Sequence, residues 1–237
     1  MRPIHWMRSL IALLYLVCGG LIASLLVVIL ALFGRRNKAQ HAVERIWAGG
    51  VLWLAGIRVQ VIGAENLPKT GCVITPNHRS NADVLSIMGR AATPARFVAK
   101  SELKWVFFIS LGMWMAGHIF VTRGRRESGG RALGAAAEEL KNGAWVLLFP
   151  EGTRVASDQS KAWKTGAFRV AIDAQVPVVP TVIRNARNLW PPEALFPKPG
   201  LLVVEFLSPV DTAGMVAKEH TSLRNTVRQA VVERLGE

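Results

Sequence analysis

Cysteine and acidic residues are scarce in this sequence, and both shortages narrow the class of protein. The chain of 237 residues has two cysteines, Cys18 and Cys72, which are too few and too isolated for a disulfide framework or a zinc site. A reducing compartment is therefore expected. Asp and Glu number 16 against 29 Lys and Arg, so the net charge is +13. A surface this basic attracts an anionic partner, such as nucleic acid, anionic lipid or a phosphorylated small molecule.

Charge is absent from one long stretch near the start of the chain. No charged residue lies between Arg8 and Arg35, and residues 10–33 are almost wholly apolar. A helix needs about 20 apolar residues to cross a bilayer, whereas the apolar part of a cleaved signal peptide spans about 7–15. No A-x-A pattern follows the stretch, so we predict a retained membrane-anchoring helix. A buried core helix is one alternative, and Gly19 and Gly20 leave room for a hairpin within one leaflet.

The flanks of this stretch predict its orientation, and a second helix follows it. Most of the flanking basic residues lie after the stretch, which favours the C-terminal side as cytoplasmic, at the inner membrane; they are Arg35, Arg36, Lys38 and Arg45, against Arg2 and Arg8 before it. Apolar residues recur at helical spacing over residues 42–57, as in a helix that lies on a membrane or packs on a domain. We therefore divide the chain into an anchor, residues 1–57, and a folded domain, residues 58–237.

Strand-like and helix-like segments alternate along the second part of the chain. The predicted strands are RVQVIG, at an edge of the sheet, GCVITPN, which is buried, then ARFVAK, HIFVTR, AWVLLFP, VPVVPTVI and LLVVEFLSPV. The predicted helices are ADVLSIMG, the apolar stretch from Ser101 to Gly117, GGRALGAAAEELKNG, AFRVAIDAQ and residues 218–235. This order predicts an α/β fold with a mixed, largely parallel sheet flanked by helices.

Polar residues gather in the loops after these predicted strands, where α/β proteins usually place their chemistry. The segments are NHRSNAD, which contains His78 and Asp83, FVTRGRR, which contains Arg123, FPEGTR, and WKTG, which contains Lys164; Lys100 ends a strand. A histidine can remove a proton from a hydroxyl near neutral pH, and it is a better base when a carboxylate fixes the tautomer of its imidazole. Asp83 would also suit the start of a helix as its cap. Arginine and lysine suit a phosphate.

The order of these segments resembles the four motif blocks of the membrane-bound glycerolipid acyltransferases, and among them the 1-acylglycerol-3-phosphate acyltransferases. The matching blocks are NHRSNAD, GHIFVTR, FPEGTR and VPVVPTVI, with WKTGAF between the third and the fourth. The third block is the most specific of the four. The resemblance covers residues 75–183, and the apolar N-terminus also fits this family.

The resemblance implies a reaction and a role for each matching residue. His78 would be the base and Asp83 its partner, and the acceptor's hydroxyl would attack the thioester of acyl-CoA or acyl carrier protein. The free sn-2 hydroxyl of 1-acyl-glycerol-3-phosphate would be acylated, giving phosphatidic acid. The acceptor would be bound by Arg123, Glu151, Gly152, Thr153, Arg154, Lys100 and Lys164. No metal or other cofactor is implied, and the expected partners are the lipid acceptor, the thioester donor and a membrane with anionic lipid.

Other functions remain open at this stage. A lipid hydrolase would need a G-x-S-x-G nucleophile elbow, which the sequence lacks. Nucleic-acid binding is suggested by charge alone, and the aromatic residues do not interleave with the basic ones. The sequence does not distinguish 1-acyl-glycerol-3-phosphate from another acceptor for the same chemistry, such as a lysophospholipid or an acylated amino-acid lipid. The apolar stretch from Trp105 to Met115 is expected either to be core or to line an acyl-chain channel.

Overall fold

A computed structural model of the chain describes residues 3–34, 38–90, 95–102, 107–122, 126–154 and 162–236. The helices are α1 (Pro3–Leu14), α2 (Gly20–Leu30), α3 (Lys38–Ala55), α4 (Ala82–Arg90), α5 (Phe107–Met115), α6 (Arg126–Lys141), α7 (Gly166–Ala174), α8 (Ala186–Leu189) and α9 (His220–Leu235). The strands are β1 (Ile57–Ile62), β2 (Val73–Pro76), β3 (Ala95–Lys100), β4 (Ile119–Val121), β5 (Trp145–Leu147), β6 (Val178–Arg184) and β7 (Gly200–Phe206).

The seven described strands form one sheet in the order β1-β7-β6-β2-β5-β3-β4. Every neighbouring pair is parallel except β6 and β7, which are antiparallel. This confirms the predicted mixed, largely parallel sheet. Strand β1 lies at an edge, as its alternating pattern predicts, and β2 is buried along its whole length near the centre. The polar loop that follows β2 therefore starts from a buried strand near the centre of the sheet.

Helices cover both faces of the sheet, because successive side chains of a strand point to opposite faces. In β2, Val73 packs in a core with α6, α7 and α9, whereas Ile74 packs in a second core. The second core includes Ala12 of α1 and Leu52 of α3. The helices assigned to the anchor therefore share apolar packing with the folded domain.

The predicted apolar N-terminal helix is present as a nearly continuous helical stretch. The helical stretch His5–Phe33 has 29 residues and contains an 18-residue window with a mean hydropathy of 2.9, so it is long and apolar enough to cross a membrane by length and composition. Gly19 and Gly20 have helical backbone angles, with one π-helical turn just before Gly20, so the chain does not reverse there.

Helix α3 runs back alongside the first two helices. Near one end of the pair, the side-chain amide of Gln40 donates to the carbonyl of Val27 at 3.0 Å. At the other end, Arg8 donates to the carbonyl of Trp53 at 3.1 Å. The first three helices thus form an antiparallel hairpin, whose two ends are fixed by polar side chains.

Close approach of α3 to α4 depends on glycine. A Cβ atom at Gly89 would lie 2.8 Å from the backbone nitrogen of Gly49, closer than real Cβ atoms come to other atoms. A larger residue at Gly89 would therefore push α3 away from α4, the helix whose first turn contains Asp83. The predicted apolar stretch around α5 also packs on the hairpin, since Gly112 lies against Ser24 of α2.

A polar cluster joins α3 to the far part of the sheet. The carboxylate of Glu44 accepts from Nδ1 of His41 at 3.1 Å and from Nε2 of His118 at 2.8 Å. Arg96 donates to Nε2 of His41, and the backbone N–H of Phe97 donates to Nδ1 of His118. Arginine and the backbone N–H can act only as donors, so each imidazole has one acceptor nitrogen and one N–H that donates to Glu44. Burial alone would raise the pKa of Glu44, but His118 and His41 beside it lower that pKa to about 2.

Replacing Glu44 by Gln is expected to lower the free energy of unfolding by about 2–4 kcal/mol, because the amide cannot accept from both His41 and His118. Chemical denaturation in detergent, followed by circular dichroism, measures the change. Glu127→Gln is the matched control, because its pair with Arg131 is exposed on both sides and should contribute less than about 1 kcal/mol. Equal effects of the two substitutions would contradict the prediction.

The same cluster predicts a pH dependence. The pKa of Glu44 is lowered on folding from 4.5 to about 2, so its charged form stabilises the fold. That contribution is complete above about pH 4.5 and is lost as the pH falls through about 2. The difference in stability between the wild type and Glu44→Gln should therefore be the same at pH 7 and pH 5, and smaller at pH 3. A difference that stays constant down to pH 3 would contradict this account.

Candidate active site

The loop between β2 and α4, residues 77–81, brings the predicted histidine and aspartate together. Nδ1 of His78 lies 2.8 Å from Oδ2 of Asp83, and both side chains are buried. The same oxygen accepts the backbone N–H of Arg79 at 2.7 Å and of Ser80 at 2.8 Å. Asp83, in the first turn of α4, thus holds the imidazole and fixes the loop with one carboxylate. We call residues 77–81 the catalytic loop below.

This contact sets the tautomer of His78. A carboxylate accepts hydrogen bonds when ionised, so Nδ1 carries the proton and donates it to Asp83. Nε2 then has a lone pair, and within the described part of the chain it makes no hydrogen bond. The ring of His78 stacks on Phe149, with centroids 3.8 Å apart and planes at 21°. The arrangement fixes the ring in position and leaves the nitrogen that would act as base available.

The third motif block lies directly against this loop. Glu151 is buried, and its Oε1 accepts the backbone N–H of His78 at 3.3 Å. Gly152 has a φ of +71°, a left-handed backbone that favours glycine. A Cβ atom there would lie 2.8 Å from Nζ of Lys164, so the absence of a side chain makes room for this ammonium group. The backbone N–H of Lys164 donates to the carbonyl of Pro150 at 2.8 Å, which fixes the two segments together.

The structure describes the remaining predicted binding residues only in part. Thr153 is half-buried beside Gly152, and Arg154 is exposed at the end of the described part of that loop. Arg123 and the side chain of Lys100 lie outside the described residues. Through direct contacts, the structure therefore links His78, Asp83, Glu151, Gly152 and Lys164, and it leaves the proposed roles of the others as predictions.

Two residues support the site that the sequence did not single out. The side-chain amide of Asn77 donates to the carbonyl of Ile183 at 3.0 Å, and its oxygen accepts the N–H of Ile183 at 2.7 Å. Asn77 thus continues the pairing of β2 with β6 for one residue beyond the strand, which ties the first motif block to the fourth. Phe149, the stacking partner of His78, directly precedes the PEGTR sequence. The only signal for either residue is that it is the first residue of a motif block, NHRSNAD for Asn77 and FPEGTR for Phe149.

The arrangement suits activation of a hydroxyl group. A histidine whose tautomer is fixed by a buried carboxylate can take a proton from an alcohol and stabilise the charge that results. Lys164 brings a cation to the same edge of the sheet, where an anionic group of a substrate could bind. The fold and the site together define an α/β enzyme that acts on a hydroxyl-bearing anionic substrate.

Comparison with known proteins agrees with this class. The Acyltransferase family model matches residues 58–184, more than half of the chain. The chain is 31% identical to the 1-acyl-sn-glycerol-3-phosphate acyltransferase of Saccharomyces cerevisiae, over 100% of this chain and 79% of that protein. It is 33% identical to the human alpha form of the same enzyme, over 83% of this chain and 70% of that protein.

A solved structure shows the same architecture. The crystal structure of the 1-acyl-sn-glycerophosphate acyltransferase PlsC from Thermotoga maritima superposes with a TM-score of 0.78, covers 98% of this chain and 96% of its own, and shares 27% sequence identity. The chain therefore belongs to the acyltransferase family, and it is an enzyme. The predicted family and fold are confirmed.

Proposed function

We propose that the protein transfers a fatty acyl group from an acyl thioester to the sn-2 hydroxyl of 1-acyl-glycerol-3-phosphate, forming phosphatidic acid. The observation that supports it most directly is the buried pair of His78 and Asp83, 2.8 Å apart, at the end of a central strand. The relatives named above act on this acceptor by name. Acyl-CoA and acyl carrier protein are both suitable donors, and the reaction needs no metal or other cofactor.

The chemistry follows from the tautomer of His78. Nε2 removes the proton from the acceptor's hydroxyl while the oxygen attacks the thioester carbonyl, and a C–O bond forms. Asp83 stabilises the imidazolium that this creates. The tetrahedral intermediate then expels the thiolate as the C–S bond breaks, and the imidazolium returns its proton to the sulfur. The products are the new ester and a free thiol, and His78 is neutral again.

The acceptor's phosphate is proposed to bind beside Gly152. The ammonium group of Lys164 lies beside Gly152. The left-handed turn at Gly152 brings the backbone close to this group, and glycine has no side chain to block the space. Arg154, Arg123 and Lys100 are proposed as further phosphate ligands, with Thr153 and Glu151 shaping the pocket. Basic side chains suit a phosphate because their N–H groups make short, charge-assisted hydrogen bonds to its oxygens.

Replacing Arg154 by Ala is expected to raise the KM for the phosphorylated acceptor about tenfold, with a smaller effect on kcat, because a charge-assisted hydrogen bond is worth about 1.5–3 kcal/mol. Steady-state assays with the donor saturating measure both constants. Arg131→Ala is the control, since Arg131 is an exposed arginine of α6 paired only with a surface glutamate in the described structure. An unchanged acceptor KM in Arg154→Ala would argue against the phosphate role.

Residues 1–57 are proposed to anchor the catalytic domain, residues 58–237, to the inner membrane from its cytoplasmic side. Many large apolar side chains of the hairpin are exposed, including Ile22 at 61% and Phe33 at 82%. Because α3 returns beside the first two helices to the domain, the hairpin fits one leaflet better than a full crossing. Lys38 and Arg45 of α3 are exposed and suit anionic headgroups; Arg35 and Arg36 precede Lys38 in the sequence and would add to this charge.

A panel of acceptors tests the proposed function. The purified protein is incubated with one acyl-CoA and, in turn, lysophosphatidic acid, lysophosphatidylcholine, lysophosphatidylethanolamine and an acylated amino acid, and the products are identified by lipid mass spectrometry. We expect phosphatidic acid to form fastest. Faster acylation of another acceptor would reassign the substrate while leaving the chemistry unchanged, and release of free fatty acid without any acceptor would indicate a hydrolase.

A further inference from the structure

The catalytic loop rests on a segment that lies outside all four motif blocks. Residues 190–199 connect α8 to β7, and we call them the 190–199 segment. The hydroxyl of Ser80 donates to the carbonyl of Trp190 at 2.7 Å, and the backbone N–H of Asn81 donates to the same oxygen at 3.0 Å. The side-chain amide of Asn81 donates to the carbonyl of Pro191 at 3.1 Å. The same amide also donates to the carbonyl of Ala194 at 3.4 Å. Four hydrogen bonds thus fix the loop that carries His78 to this segment.

The same segment is attached to the first helix of the hairpin. The hydroxyl of Ser9, which is buried, donates to the carbonyl of Pro197 at 2.9 Å. The rings of Trp6 and Phe196 meet edge to face, with centroids 4.9 Å apart. The 190–199 segment therefore lies between α1 and the catalytic loop and contacts both of them directly.

The outer side of the segment has the composition of a membrane-contacting surface. Leu195 is 66% exposed, and Trp6, whose ring contacts the adjacent Phe196, is 50% exposed. Trp53 of α3, whose backbone carbonyl accepts from Arg8 of α1, is 70% exposed. Lys198 is also exposed. Tryptophan favours the headgroup level of a bilayer, and lysine can reach toward anionic headgroups from there. This surface continues the exposed apolar surface of the hairpin, so a lipid bilayer, rather than another protein, is the occupant that matches it.

We propose that the 190–199 segment lies in the headgroup region of the membrane and holds the catalytic loop at a fixed position relative to it. The segment acts as a positioning element: Leu195 contacts lipid, Ser9 and Trp6 fix the segment to the anchor, and Trp190 and Pro191 fix the loop. The inference rests on the membrane seating proposed above. It adds that membrane contact and the geometry of the catalytic pair are connected through one segment.

The first test measures depth in a bilayer with a fluorescent probe on single cysteines. In full-length protein with Cys18→Ser, the probe is attached through Leu195→Cys, Ile22→Cys or Val216→Cys. Cys72 is buried, which raises its pKa to about 12, so it should not react. Ile22 lies in the hairpin, and Val216 is an exposed apolar residue of the domain, before α9. The vesicles contain phosphatidylglycerol and a nitroxide lipid, labelled either near the headgroup or deep in the acyl chain.

We expect the probe at position 195 to lose most of its fluorescence with the headgroup-level nitroxide, and the probe at position 216 to lose little with either lipid. Equal quenching at positions 195 and 216 would overturn the inference. The probe at position 22 keeps the two proposals distinguishable. If that probe also resists both nitroxides, the proposed membrane seating fails; if it is quenched while position 195 is not, the seating stands and this inference fails.

The second test breaks the connection to the loop. Asn81→Ala removes the side-chain hydrogen bonds to Pro191 and Ala194, and a small displacement of the base is expected to lower kcat about tenfold to a hundredfold with little change in KM. Asn66→Ala is the matched control, because its amide makes a comparable bond to the carbonyl of Phe206, away from the site. The two variants should have similar melting temperatures. Unchanged kcat in Asn81→Ala, or an equal loss in Asn66→Ala, would overturn the positioning role.

Discussion

Replacing His78 by Ala is expected to lower kcat by about a thousandfold or more, the effect of losing a general base whose role no neighbouring group can take over. The buried carboxylate of Asp83 would remain bound to the N–H groups of Arg79 and Ser80, so the loop should keep its shape. Acyl transfer to lysophosphatidic acid, measured with radiolabelled acyl-CoA, gives the rate. The KM of the acceptor should change much less than kcat, because its phosphate binds elsewhere.

The control for this variant is a histidine outside the site. His220 begins α9, is partly exposed, and bonds the carbonyl of Ala217. His220→Ala should therefore retain full activity. Both variants should co-sediment with vesicles as the wild type does, since the hairpin is unchanged. A kcat of His78→Ala within tenfold of the wild-type kcat would contradict the proposed mechanism for any acceptor.

Replacing Asp83 by Asn is expected to lower kcat about a hundredfold to ten-thousandfold. The amide oxygen can still accept from His78, Arg79 and Ser80, so the geometry should survive. The negative charge that stabilises the imidazolium is lost, however, and the new NH2 group is buried where Oδ1 has no hydrogen-bond partner among the described residues. The loss should therefore fall on the chemical step, which single-turnover measurements isolate from product release.

Asp173→Asn provides the comparison for this variant. Asp173 is exposed on α7, so the same change of charge there should leave kcat unaltered. A melting temperature of Asp83→Asn close to that of the wild type would assign the loss to chemistry. If Asp83→Asn instead kept full activity, the carboxylate of Asp83 would only cap α4 and hold the catalytic loop in place, with no role in proton transfer.

The fold could be predicted from the sequence wherever local pattern decides the structure. The alternation in Arg58 to Gly63 indicates a half-buried edge strand, and β1 is one. The uncharged stretch after Arg8 indicates a long apolar helix, which is present. Both signals arise from a few neighbouring residues. The mixed sheet followed from the alternation of elements, but the order of its strands depends on pairings between distant segments and could not be read from pattern.

The candidate site could be predicted in its parts but not in its connections. The resemblance of the motif blocks implied roles for His78, Asp83 and Glu151, including the imidazole–carboxylate pair, which spacing alone would not have indicated. Glu151, however, contacts the backbone of His78 across 73 positions of sequence. The bonds from Ser80 to Trp190 and from Ser9 to Pro197 span 110 and 188 positions. Neither residue pair has a local pattern, because only the folded chain brings the two together.

The direction of β1 has a consequence for how the enzyme obtains its acceptor. Strand β7 is antiparallel to β6, and β1 is parallel to β7, so β1 begins at the edge of the sheet where β2 and β6 end. The hairpin therefore joins the domain at Gly56 on the same edge as His78. With the proposed seating, a lysolipid reaches the base by lateral diffusion in the leaflet. Diluting the acceptor with inert lipid at constant bulk concentration should then slow the reaction, since its rate depends on mole fraction in the surface.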